Sequence, residues 1–152
     1  MASPIERLKE LGLDLPEVVK PVAAYVPAVR SENFVYTSGQ VPMRDGQLIA
    51  TGKLGGDVIS EVGVECARQC ALNALAAIAS VVDLTEVKRV VKVVAFVAST
   101  PEFTGQPQIA NGASELLGQV FGDNGQHARS AVGVPVLPLD APVEVEIVVE
   151  VA

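Results

Sequence analysis

The sequence predicts a single α+β domain, a mixed sheet with two helices packed on one face, and three observations lead there. The 152 residues are 49% hydrophobic and only 19% charged, which suits one sizeable core and excludes disorder. That apolar content is mostly Val, Ala and Leu with few aromatics; Val favours strands and Ala favours helices. The third observation is the final segment, where Val143, Val145, Ile147, Val149 and Val151 alternate with Glu144, Glu146, Val148 and Glu150, the two-residue period of a half-buried strand.

The other elements follow in order. Ser3-Pro4-Ile5-Glu6 has the form of a helix start, with Ser as cap, Pro in the first turn and Glu closing a capping box. It predicts a short extra N-terminal helix ending near Gly12, and residues 13–21 then lead to the sheet. Tyr25–Val29 and Phe34–Ser38 read as strands around the polar turn Arg30-Ser31-Glu32-Asn33. Asp45-Gly46 marks a second turn before the short apolar run 48–50, and glycine-rich 51–57 reads as a loop. Ser60 is expected to cap the longest helix, about Glu61–Val82. Its stripe of Cys66, Cys70, Ala74, Ala77, Ile78 and Val81 recurs at helical spacing. Thr85–Lys88 turns into a strand over Arg89–Ala98, apolar on both faces beyond Val93 and therefore expected at the sheet centre. Pro107–Phe121 suits a second helix, ended by Gly122-Asp123-Asn124-Gly125. Arg129–Val134 is a strand, Pro135, Pro138 and Pro142 punctuate a loop, and Val143–Val151 closes the fold. Two helices cover one sheet face, so Val90, Val94 and Phe96 on the other need cover, which self-association would supply.

Charge and composition remove whole classes of function. The formal net charge is −7, from 18 acidic and 11 basic residues, with no basic surplus for a phosphate backbone, so nucleic acid is not an expected partner. No apolar run reaches a membrane span and the N-terminus lacks a signal peptide's layout, so the expected compartment is the cytosol. Cys66 and Cys70, four apart on a helix, read as buried small hydrophobes, and one histidine, His127, cannot assemble a zinc site. No metal is expected. Gly46–Leu54 fails as a phosphate loop because its glycines are spaced one residue too far apart and Leu54 stands where a hydroxyl is needed. No dinucleotide fingerprint or serine elbow is present. Any chemistry must rest on Arg, Glu, Tyr, backbone groups and water.

Two segments carry a family resemblance. One is Tyr36-Thr37-Ser38-Gly39-Gln40-Val41-Pro42. The other is Ala128-Arg129-Ser130-Ala131-Val132, followed by Leu137-Pro138 and Val143-Glu144-Val145-Glu146. In this order they resemble the reactive-intermediate deaminases, also called the YjgF/YER057c/UK114 or L-PSP family, with Asn111 in the second helix also fitting. The leading segment and the Cys66 helix mark a divergent branch. The resemblance implies a chorismate-mutase-like fold, a homotrimer with sites between subunits, no cofactor, and hydrolysis of 2-imino or enamine acids of the 2-aminoacrylate type to 2-oxo acids and ammonia.

The same resemblance assigns roles. Arg129 matches the arginine that binds the substrate carboxylate, and its planar, permanently charged fork suits that task. Glu144 matches the glutamate thought to position and deprotonate water. Tyr25 matches a tyrosine at the pocket mouth, although its neighbours Ala24 and Val26-Pro27 depart from the usual pattern. Ser38 and Gly39 match pocket-lining positions, and Ala131 occupies a position that is often cysteine, leaving only backbone contacts. An imine carbon is already electrophilic, so holding the carboxylate and activating one water suffices.

Pairing the last two strands as a hairpin, with Val134 opposite Val143, would set Arg129 opposite Val148 and roughly 13 Å from Glu144 at the usual strand rise. That separation favours sites combining residues of adjacent subunits. A binding module that holds a small carboxylate without turnover is the main alternative, and an endoribonuclease or translation inhibitor is a third reading.

Overall fold

The structure, a computed structural model, describes residues 2–21 and 23–152. Its elements run α1 (Pro4–Glu10), β1 (Ala28–Ser31), β2 (Phe34–Thr37), β3 (Met43–Arg44), β4 (Gln47–Leu48), α2 (Ser60–Ala79), β5 (Val87–Ala98), α3 (Gln106–Phe121), β6 (Ala128–Val134) and β7 (Val143–Val151). Five strands form one mixed sheet in the order β1-β2-β7-β5-β6, and β3 and β4 form a separate small hairpin. The fold is the α+β arrangement that the sequence predicts.

The N-terminal helix begins with the expected reciprocal cap between Ser3 and Glu6, and Gly12 follows it at φ 74°, a conformation glycine adopts without strain. α2 starts one residue earlier than expected. Ser60 lies inside it, Ile59 precedes it, and no side chain caps the first turn. Of the predicted stripe, Cys66, Cys70, Ala74, Ala77 and Ile78 are buried, whereas Val81 falls beyond the helix and is 41% exposed. Burial pushes the Cys66 thiol up to about 11 and Cys70 well above its usual value. These thiols are packing groups. No helix among the described residues is long and apolar enough to cross a membrane.

α2 and α3 pack together on one sheet face. Their crossing is close: a Cβ at Gly112 would overlap the Val64 carbonyl. The alternation in β7 is fully realised, with Val143, Val145, Ile147, Val149 and Val151 in the core. β5 is interior, paired on both sides, but β7 rather than β5 holds the centre of the sheet, and β5 does not alternate cleanly. Lys88 and Val91 have no partners of their own on β7, and the second bulge changes the phase of the strand. Val90 therefore faces the helices with Val93, both fully buried, rather than sharing the open face with Val94 and Phe96. On that open face Phe34, Tyr36, Val29 and Val132 remain 38–51% exposed.

Two further expectations are corrected. Tyr25 is not in a strand: β1 begins at Ala28, after Pro27, which lacks a ladder donor. β6 does not form a hairpin with β7. It pairs in parallel with β5, Arg129 opposite Val93, while β7 lies between β2 and β5. α3 supplies the crossover that a parallel pair requires.

Candidate functional site

The predicted residues fall into two groups on opposite faces of the sheet. Arg129 is level with Val93, and Val93 with Ile147. Glu144 lies three residues further along β7. At ~4.8 Å between strands and ~3.3 Å per residue, the two backbones are about 14 Å apart. Arg129 shares the helix-covered face with Val93; Glu144 alternates with buried Val143 and Val145 and so faces the other way. The separation expected from the sequence persists, although its cause is two intervening ladders rather than a hairpin offset.

Arg129 is held by α3. Its Nη1 donates to Asn111 Oδ1 at 2.8 Å and to Ser114 Oγ at 3.2 Å, and its Nη2 donates to the Pro107 carbonyl at 3.3 Å. Residues 107, 111 and 114 share one helix face by their spacing, so a single element presents all three acceptors. Among the described residues, no carboxylate lies within ion-pair distance of the guanidinium, and its Nε–H and one Nη2 hydrogen have no protein partner. Beside it is a cavity of about 350 Å³ lined in part by Ser114, Gly125, His127 and Arg129. Ala131, two residues along the same strand, is half-buried against the core.

Glu144 sits in a different setting. The β2 chain leaves regular pairing after Tyr36; Thr37 Oγ1 accepts from Ile147 N–H, and Gln40 rejoins β7 opposite Val145. Gly39 therefore crosses directly over Glu144, and a Cβ there would overlap the carboxylate. Gly39, Tyr25, Leu139 and Glu144 share a cleft of about 290 Å³ whose other walls are largely Val, Pro and Met. The carboxylate accepts no hydrogen bond among the described residues. Burial raises its pKa above the usual carboxylate value, and the like charge of Glu146 adds to the rise. Leu139 and Asp140 hold φ near +60° beside this cleft, a strained conformation for non-glycine residues.

Ser38 departs from its expected role. Its hydroxyl donates to the Val26 carbonyl at 2.6 Å, and its N–H donates to Pro27 O at 2.8 Å. It ties down the segment that carries Tyr25 and leaves the cleft wall to Gly39. Ser114, which accepts from Arg129, is a member of this candidate site that the sequence does not single out, although its spacing from Asn111 is the available signal. A larger concavity of about 820 Å³ lies between residues 12–19, the β3–β4 turn and α2. It contains none of the predicted residues, and the chain Arg44–Gln69–Asn73 on its wall is bonded internally, so size does not mark the chemistry here.

The geometry can be compared with known proteins. The family described as Endoribonuclease L-PSP matches residues 15–151. Protein TCP17 of Trypanosoma cruzi is 45% identical over 145 residues, 94% of this chain and 91% of that one. The crystal structure of Atu1372 from Agrobacterium tumefaciens, a protein of unknown function, is 44% identical with a TM-score of 0.92 over 98% of this chain and 92% of that one. A Shewanella oneidensis structure described as a candidate endoribonuclease is 31% identical with a TM-score of 0.96 over 99% and 100% of the two chains. The chain thus belongs to the L-PSP family, the reactive-intermediate deaminase or YjgF/YER057c/UK114 family whose motifs its sequence carries.

Proposed function

We propose that the protein hydrolyses 2-imino and enamine acids to 2-oxo acids and ammonia, in sites that neighbouring copies of the chain build together within a homotrimer. The observation that carries this reading is the unspent edge of Arg129. Three bonds to α3 immobilise the guanidinium, yet Nε–H and one Nη2 hydrogen stay available, and two adjacent donors on a fixed cation suit a carboxylate. Glu144, half-buried with its pKa raised by burial, suits a proton acceptor working closer to neutrality than an ordinary carboxylate does.

In this scheme Arg129 holds the substrate carboxylate. Glu144 takes a proton from water as its oxygen bonds to the imine carbon, and the proton passes to the nitrogen. The resulting carbinolamine loses ammonia as Glu144 takes its hydroxyl proton and passes it to the leaving nitrogen while the C–N bond breaks and the C=O bond forms, giving the 2-oxo acid. One water is consumed and one ammonia released. Tyr25 donates to the nitrogen or to the water, and the backbone at Gly39 and Ala131 lines the site. Because Arg129 and Glu144 lie on opposite sheet faces of one chain, a second copy completes the site, and the apolar open face gives it a place to dock.

The test follows ammonia or 2-oxo acid release from imines generated in situ. Acceleration over buffer is expected, together with a sedimentation mass of three 15.8 kDa chains. No acceleration would defeat the enzyme reading, and a monomer would defeat the shared site. A second reading, carboxylate binding without turnover, draws support from the Ser38 hydroxyl pointing away from the cleft. It requires binding of a 2-oxo acid with no acceleration. The family's endoribonuclease description is opposed here by a net charge of −7, which repels a phosphate backbone.

A further inference from the structure

Ser114 is one of the three acceptors of Arg129 and His127 bonds to Ser114, but neither makes or breaks a bond in the reaction above. His127 Nδ1 lies 2.6 Å from the Gly125 carbonyl oxygen. A carbonyl only accepts, so Nδ1 carries the hydrogen, and in the neutral ring Nε2 is left as an acceptor. The Ser114 hydroxyl, 2.8 Å from Nε2, donates to it. The hydroxyl oxygen then turns its lone pairs to Arg129, whose Nη1 donates at 3.2 Å. Every bond in the chain has a definite direction, and that direction is set at the Gly125 carbonyl.

Two details make this more than incidental contact. A mid-helix serine commonly bonds back to a carbonyl of the preceding turn; the Ser114 hydroxyl instead bonds outside its own helix. Gly125 is buried, and a Cβ there would overlap the Leu117 carbonyl of α3, so the origin of the chain is seated directly on the helix. The guanidinium borders a cavity of about 350 Å³ and has room to turn if it is not restrained.

We propose that Ser114 and His127 are positioning residues, a hydrogen-bonded relay that aims Arg129 so that its free edge meets the ligand carboxylate. The proposal rests on the reading of Arg129 as the carboxylate grip. Neither relay residue takes part in bond making or breaking in this proposal, so their effect falls on affinity and on KM, with kcat left within about twofold.

The test compares wild type, S114A, S114T and H127N by side-chain NMR of the Arg129 guanidinium and by titration with pyruvate. H127N keeps a donor near Gly125 but offers no acceptor at the Nε2 position. Rotation about the Arg129 Cζ–N bonds is expected to quicken about tenfold in S114A and H127N, with pyruvate Kd and KM rising by about the same factor, and to recover in S114T. Unchanged rotation in both S114A and H127N would overturn the proposal whatever the ligand data show. Quickened rotation in a protein whose wild type does not bind pyruvate would support the relay and sink the carboxylate reading instead. A parallel loss of kcat and KM with a lowered Tm in both variants, unrescued by S114T, would assign these residues a purely structural role and overturn it as well.

Discussion

Arg129 and Glu144 are embedded in opposite ways. The guanidinium is surrounded by acceptors on one helix face, with an amide, a hydroxyl and a carbonyl each taking a hydrogen bond. The carboxylate lies in a cleft walled mostly by Val, Pro, Met and Leu, with Lys20, Tyr25 and Gln40 also on its lining, and takes none among the described residues. A group meant to grip must be immobilised, because each rotamer left free costs affinity. A group meant to move a proton gains from poor solvation, which lifts its pKa toward the working range. In the proposed reaction these two demands fall on groups that lie on different sheet faces.

Gly39→Ala gives the strongest test of that contrast. The added methyl would overlap the Glu144 carboxylate and displace it, and a loss of about a hundredfold in kcat is expected from a misplaced general base. Pyruvate affinity at Arg129 should change little. Equal damage to both would show that the two halves are not independent. Gly112→Ala attacks the other half. Its Cβ would meet the Val64 carbonyl and sit 3.2 Å from Arg68 N, forcing α3 away from α2. A loss of about 2 kcal/mol in urea unfolding is expected for such overpacking, with KM rising more than kcat falls because α3 carries the acceptors of Arg129.

Smaller effects sharpen the picture. Ser38→Ala removes the 2.6 Å bond to Val26 O, costing about 1 kcal/mol and loosening the segment that carries Tyr25, with a modest drop in kcat. Glu146→Gln addresses the charge environment. Glu144 titrates above the usual carboxylate value, first through burial and then through Glu146. In the proposed reaction Glu144 acts as base when ionised, so kcat/KM is expected to fall as pH drops through this raised pKa. Removing the like charge eases ionisation, and the acid limb of the rate profile should move to lower pH. Because burial is the larger cause, most of the elevation should remain. An acid limb moved to higher pH would contradict the assignment of Glu144 as the base.

Much of this was legible in the sequence. β7 was readable to the residue because it is central yet has one core face and one half-exposed face, giving hydropathy a strict two-residue period. The capping box at Ser3 and the glycine after α3 were similarly local signals. The partner of β6 was not local. Adjacent position in the chain suggested a hairpin with β7, whereas α3 between β5 and β6 was the better clue, since parallel strands need a crossover. Ser60 fits a cap by residue type, but α2 starts one residue before the expected Glu61 and takes Ser60 into its first turn. Ser38 has a hydroxyl of the right type, but the Val26 carbonyl, twelve residues away in the chain, takes its hydrogen bond. Arg129 and Glu144 were found through their motifs; the Ser114–His127 chain joins β6 to the middle of α3 through contacts that no motif advertises.

The double bulge in β5 carries a consequence for how this protein tolerates change. The strand is written in more than one frame: Val90 lies before the shift, and Val93, Ala95 and Val97 after it, so residues an odd number apart address the same side. Removing Val91 would set Val90 and Val93 two residues apart, merging the frames into one regular alternation that keeps each core side chain on its present face. A single-residue deletion there should therefore be better tolerated than deletion of Val94, in the regular part of the strand, which would turn the residues beyond it over.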